Sequence, residues 1–249
     1  MLKEAATVQQ PSLDIRPYIL THIPPDADTT DNQVPALLIY LLNAFSKAVI
    51  AQFANEASVT PPAADPTGIA AITIFAANDF RWKGISLIDM LIAKFHVMCP
   101  VLFGIYGSDK MEEGRRRLGW QRDPDSGSWV NEQRHSERMT GLGVGFAALS
   151  LRDFKNSKSI NPFPSGHFWR ALACIINTPV QDITQTHCIV LKALVEHHIN
   201  EFIGFYGQAG LVALRKAVID FPRLAPKSVA ASALLTLPAT MRRNAHLTI

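Results

Sequence analysis

Cysteine is scarce in this 249-residue chain. Cys99, Cys174 and Cys188 are its three, and no two form a CxxC pair. An odd, scattered set argues against a disulfide framework and for reduced thiols in an intracellular setting, with buried core cysteine the plain expectation. HExxH and GxSxG are absent, which removes two common signatures of metal-dependent and serine hydrolysis. No segment alternates with period two, and no Asn-Gly turn marks a hairpin. The first residues carry Lys3 and Glu4 without an apolar run, so no signal peptide is expected. The longest uncharged stretch, residues 32–46, falls short of the roughly 20 residues a spanning helix needs, and no membrane insertion is expected. Net charge is +3, weak for a duplex-binding face, so direct sequence-specific nucleic-acid binding is not expected either.

Apolar side chains are abundant, at 48% of the chain, against 18% charged. Their spacing is helical. Residues 1–30, rich in Pro, Asp and Thr, read as an N-terminal arm or the remnant of a longer region. From residue 31 to 249 the pattern is that of a helical domain. Val34, Leu37, Leu38, Leu41, Leu42, Phe45, Val49 and Phe53 predict a helix reaching about Ala57. Further helices are predicted over 67–78, 85–98, 134–152 and 167–177. The longest is predicted over 184–206, capped by Asp182 or Thr184 and broken at Gly207 and Gly210. Two more follow, over 211–221 and 227–236, ending before Pro222 and Pro238. The expected fold is all-α: an irregular, HEAT-like stack of antiparallel helical hairpins.

Residues 110–141 interrupt this pattern. A short basic helix from Glu112 to Leu118 leads into Gly119-Trp120, an Asp-Pro-Asp-Ser-Gly turn and Trp129. Two tryptophans flanking a turn suggest a packed excursion on a helical scaffold. Lys110, Arg115, Arg116 and Arg117 form a cationic cluster, either a solvated face or a docking surface for an acidic partner.

Two constellations invite a catalytic or metal reading. Pro164-Ser165-Gly166-His167 matches the central motif of the phosphatidate-phosphatase type 2 family, but the partner motifs of that family are missing, so a helix start is the reading. His197-His198, with Glu196 and Glu201 nearby, would point about 100° apart on a helix and so share no metal site. No catalytic and no metal-ligating residue is assigned.

The separated motifs nevertheless make one series. Lys94-Phe95 and Cys99-Pro100 come first, then Glu113-Gly114-Arg115 with Leu118-Gly119-Trp120, and Glu137-Arg138-Met139 with Gly141. Asn161-Pro162, His167-Phe168-Trp169, the run Cys174 to Pro179, Ile183-Thr184, Thr186-His187 and Phe205-Tyr206-Gly207 follow. Their order resembles the C-terminal domain of the Gle-one mRNA export factor family of the nuclear pore, over roughly Val34 to Pro222.

That resemblance implies a helical domain that is not an enzyme. It implies a DEAD-box RNA helicase as partner, on the cytoplasmic face of the nuclear pore complex, whose ATP cycle the domain stimulates. It also implies an FG-repeat nucleoporin docking elsewhere, and in fungal members inositol hexakisphosphate bridging domain and helicase. Six phosphates carry about −10 in charge at roughly −1.5 to −2 each, which calls for converging cations. Lys47 and Lys94 stand at positions that are basic in the fungal pocket, and Lys3 is a third candidate. Val97-Met98 replaces two lysines of the fungal pattern, and Ala51 replaces a histidine. A passive helical scaffold that binds the nucleoporin without activating a helicase is the alternative.

Overall fold

The computed structural model describes residues 34–155, 157–245 and 247; the expected arm and Lys3 lie outside them. The fold is all-α, as the periodicity predicts. The first helix, α1 (Ala36–Gln52), runs into a π-helical turn, Phe53–Ala57. After it come α2 (Ala64–Ala76), α3 (Asp89–Met98) and the short basic α4 (Glu112–Arg117). The central helix is α5 (Glu132–Ser150), followed by α6 (Gly166–Ile176) and α7 (Gln185–Glu196). The chain closes with α8 (Ile199–Arg215), a π turn, α9 (Phe221–Leu224) and α10 (Val229–Ala245).

Helix α5 is the axis of the stack. From Gly141 to Ser150 every residue is buried, so it is apolar on all sides, as a core helix must be. Its glycines set how closely neighbours approach. A Cβ on Gly141 would lie 2.0 Å from the Phe53 carbonyl oxygen, and one on Gly145 would lie 2.3 Å from the Phe53 ring. On the opposite side a Cβ on Gly143 would meet Ala193 of α7 at 2.8 Å. The π turn at Phe53–Ala57 thus nests on a notch cut by two glycines one helical turn apart, while α7 packs against the third. An aromatic chain fills the space beneath: Phe146 meets Phe95 and Phe163 edge-on, each with ring centroids 5.4 Å apart.

Several boundaries differ from the sequence reading. The helix expected over 85–98 starts only at Asp89, because residues 81–86 form a small antiparallel hairpin, Arg81 opposite Ser86 and Trp82 opposite Ile85. Lys83 and Gly84 both have positive φ, 48° and 77°, which is type I′ turn geometry. The helix expected over 184–206 is in fact two. It breaks at His197-His198, and α8 restarts when the His198 carbonyl accepts from the Phe202 N–H. The break expected at Gly207 is present: at φ 51° and ψ −128° its backbone is not helical, and α8 is two helical pieces meeting at that kink. Pro238 sits inside α10, where the burial of Leu234, Leu237 and Met241 holds the helix together across the missing donor.

By length and mean hydropathy alone, the helical runs Ala36–Ala57 and Ile199–Leu224, the second interrupted at Gly207, are long and apolar enough to cross a membrane. The first carries Lys47 and Glu56, and the second carries Glu201, Arg215, Lys216, Asp220 and Arg223.

Candidate functional site

The cations proposed from sequence fall on two faces. Lys47 is exposed on α1 and Lys94 is half-buried on α3, and these two helices pack directly on one another. Phe45 and Val49 of α1 turn inward with Leu91 and Phe95 of α3, which leaves the lysines outside the seam. Among the described residues neither lysine has an ion pair.

The second face is the excursion between α3 and α5. Its turn is closed by the Asp123 N–H donating to Ser128 O at 2.7 Å, and by Asp123 Oδ1 accepting from the N–H groups of Asp125 and Ser126. The Ser126 N–H and hydroxyl, with the Asp125 N–H adding to them, hold the Asp123 carboxyl below the usual carboxylate range. Two anchors fasten the excursion to α5. The Trp120 ring stacks on His135, and Arg138 donates to the Gly119 carbonyl.

The basic cluster divides once its geometry is seen. The Arg115 guanidinium lies 5.2 Å from the Trp120 ring centre and 5.9 Å from that of Trp129, while its Nε donates to Asp109 O at 2.6 Å. Arg115 is therefore part of the scaffold. Arg116 pairs with Glu112 at 2.7 Å, one turn back on α4, and Arg122 joins the same carboxylate at 2.7 Å while covering Trp129 at 4.6 Å. Both guanidinium groups hold the Glu112 carboxyl below its ordinary range, Arg122 most of all. Arg117 and Lys110 carry no ion pair among the described residues, so of the four proposed docking cations they are the free pair.

The rejected constellations have structural explanations. Ser165 and Gly166 open α6, and the Ser165 hydroxyl accepts from Tyr206 at 3.2 Å. The His167 ring stacks on Phe163 with centroids 4.2 Å apart. His198 is 94% removed from solvent, with its Nε2 3.6 Å from Asp65, while His197 turns to Glu196. Among the described residues no three His, Cys, Asp or Glu side chains gather as a metal site would require. Burial pushes the thiols of Cys99 and Cys188 up to about 12, far from a reactive thiolate.

Sequence reasoning missed the internal engagement of Arg115 and Arg122. The local signal for Arg116 was present, since Glu112 and Arg116 stand at i and i+4. The Trp120–Arg115–Trp129 layering was not visible, because it depends on the fold of the turn.

Comparison with known proteins places this arrangement. A model of the family described as GLE1-like protein matches residues 8–218. The chain is 51% identical over 222 residues to mRNA export factor GLE1 of Chaetomium thermophilum, a match covering 89% of this chain and 42% of that protein. To mRNA export factor GLE1 of Saccharomyces cerevisiae it is 30% identical over 172 residues, covering 68% of this chain and 30% of that one. The chain thus spans less than half the length of these relatives. Among solved structures, a complex of a variant S. cerevisiae Dbp5 C-terminal domain bound to Gle1 and IP6 superposes with a TM-score of 0.72 at 26% identity, covering 84% of this chain and 70% of that one. Matched by the family model along most of its length, and built on the helical architecture of that complex, the chain belongs to the GLE1-like protein family.

Proposed function

We propose that this domain is the helicase-binding part of an mRNA export factor and that it works at the cytoplasmic face of the nuclear pore. It binds a DEAD-box RNA helicase and raises its ATP turnover, with inositol hexakisphosphate held between the two proteins. The observation that carries this reading is the likeness to the solved complex of Dbp5 C-terminal domain with Gle1 and IP6. Lys47 and Lys94, on the packed helices α1 and α3 and without an ion pair among the described residues, support it, since a polyphosphate needs cations not already neutralised.

The domain needs no catalytic group of its own for this role. A helicase cycles between arrangements of its two lobes, and a rigid adaptor that binds one arrangement more tightly shifts the population by its differential affinity. The glycine-notched core around α5 supplies that rigidity. Arg117 and Lys110, on the excursion, are the second set of free cations and suit an acidic partner surface.

The test is the ATPase rate of the cognate helicase with the domain, with and without inositol hexakisphosphate. Stimulation that grows with the ligand and falls on Lys47→Glu with Lys94→Glu supports the reading. A domain that binds at saturation and leaves the rate unchanged is a passive scaffold, and the reading fails.

A further inference from the structure

Arg138 is a buried cation with no ion pair among the described residues. It is 8% exposed. Burial lowers its guanidinium to about 10, which leaves it charged at neutral pH. Glu137, its neighbour in sequence, is exposed and accepts from Gln133. Arg134, one turn back on α5, is a second cation and is engaged with Asp123. The Cys99 thiol lies close enough to feel the Arg138 charge, but burial pushes it up to about 12, so it stays protonated. One guanidinium nitrogen, Nη2, donates to the Gly119 carbonyl. That dipole satisfies one nitrogen and does not neutralise a buried ion.

Three buried nitrogens belong to the same cluster. Arg138 Nη1, Trp120 Nε1 and His135 Nδ1 are shut off from solvent, and none has a hydrogen-bond partner among the described residues. Their side chains are contiguous. The Trp120 indole lies on the His135 imidazole with ring centroids 4.0 Å apart. His135 precedes Arg138 by one turn of α5, and the carbonyl that Arg138 holds belongs to Gly119, next to Trp120 in the chain. Guanidinium and indole N–H groups donate and cannot accept. His135 Nε2 sits 3.0 Å from the Thr186 hydroxyl; when it accepts from that hydroxyl, Nδ1 carries the ring proton and becomes a third donor. Buried donors without an acceptor are costly, and native folds leave few of them.

We propose that this cluster binds one small inorganic anion, of the size of chloride, through Arg138 Nη1, Trp120 Nε1 and His135 Nδ1. The donor set calls for a ligand that accepts hydrogen bonds, and the uncompensated guanidinium calls for one that carries negative charge. A water molecule meets the first demand and leaves the charge in place. Burial of all three nitrogens restricts the occupant to a small ion. Bound there, the anion cross-links Trp120 of the excursion to His135 and Arg138 of the central helix. It thereby fixes the segment that carries Lys110 and Arg117. The site uses neither Lys47 nor Lys94 and stands independently of the helicase reading.

The experiment melts the whole chain while sodium chloride replaces sodium gluconate at one fixed ionic strength. Gluconate is too large for the site and supplies the same screening. An anion that binds the folded state alone raises the melting temperature by about 3–6 °C for each tenfold rise in chloride above its Kd. Trp120→Phe keeps a ring on His135 and deletes the indole N–H, and Arg138→Met deletes the charge. Each should reduce the chloride dependence about threefold or more, and Trp120→Phe alone decides the matter if Arg138→Met does not fold. Crystals soaked in bromide should show an anomalous peak in contact with Arg138 Nη1 and Trp120 Nε1. Melting that is indifferent to the exchange of salts, a chloride dependence unchanged in Trp120→Phe, or a site that holds only water in the bromide crystals overturns the proposal.

Discussion

The imidazole of His135 lies flat on the indole of Trp120, ring centroids 4.0 Å apart and planes inclined by 10°. His135 is wholly buried, and its Nε2 sits 3.0 Å from the hydroxyl of Thr186 in the first turn of α7. One side chain thus joins the tryptophan excursion, the central helix and α7. One residue further, His187 closes a capping box with Thr184, so two adjacent buried links depend on neutral imidazoles.

Acid should therefore unfold this domain early. Burial pushes His135 down to about 3, with Arg138 adding to the effect, and it pushes His187 down to about 4. In the unfolded chain both titrate near 6.5. Below that value the unfolded state takes up protons that the folded state refuses, so stability falls with pH until each folded value is reached. Each histidine contributes up to about 1.4 kcal/mol per pH unit. Burial lowers His167, His197 and His198 in the same direction. Urea midpoints measured from neutral pH toward acid should decline steadily, and His135→Gln should flatten part of the slope. Midpoints that stay level as the pH drops below 6 would contradict this.

The glycine notch on α5 predicts strong intolerance. Gly145→Ala drives a methyl into the Phe53 ring, and Gly141→Ala drives one into a backbone carbonyl that cannot yield. Overpacking of this kind costs about 3 kcal/mol, and chemical denaturation should show a loss of that size for each. Gly166, whose Cβ would meet nothing within 4 Å, is the control and should change by less than about 1 kcal/mol.

These cases mark how far the chain could be read unaided. The order and class of most helices were legible, because Leu38, Leu42 and Val49, or Leu191, Leu194 and Val195, repeat at helical spacing and are buried as that spacing implies. Two-residue strands were not, since a pairing so short has no periodicity to display. Pro238 misled, because local backbone chemistry argued for a stop while the burial of Leu237 and Met241 argued for continuation, and packing prevailed. Lys47 and Lys94 could be nominated by resemblance, but only the packing of α1 on α3 shows that the two lysines share a helix pair.

Arg115 and Arg117 should part company under mutation. Arg115→Ala removes a guanidinium held between two indoles together with its bond to Asp109 O. A loss of about 1–3 kcal/mol is expected from those contacts, seen as a lower melting temperature. Arg117→Ala leaves the melt within about 0.5 kcal/mol while weakening any acidic partner at this face. Equal thermal effects from the two substitutions would return Arg115 to the surface cluster.

Gly207 offers a test of backbone conformation alone. At φ 51° and ψ −128° it occupies a region open to glycine and closed to L side chains, yet a Cβ there would meet nothing within 4 Å. Gly207→Ala should therefore cost about 1–3 kcal/mol through strain without any clash. Gly204→Ala, equally open on the same helix and outside the positive-φ set, should be neutral or slightly stabilising. Matching effects at the two positions would mean that α8 runs straight through residue 207.

The proposed ligand contacts of Lys47 and Lys94 can be tested directly, and electrostatics set the expected result. Lys47 is solvent-exposed and Lys94 half-buried, both without an ion pair among the described residues, so if they hold the ligand, reversing them removes two attractions and adds two repulsions. Inositol hexakisphosphate binding to the domain–helicase complex should weaken by at least about tenfold, or about 1.4 kcal/mol, by calorimetry. Wild-type affinity should itself decline as salt rises, since the screening length shrinks from about 10 Å at 0.1 M to about 3 Å at 1 M. Helicase binding measured without the ligand should change far less, because the substitutions lie outside the packed seam between α1 and α3. If the double reversal leaves ligand affinity and its salt dependence untouched, the phosphates rest on other cations and the site lies elsewhere on the domain.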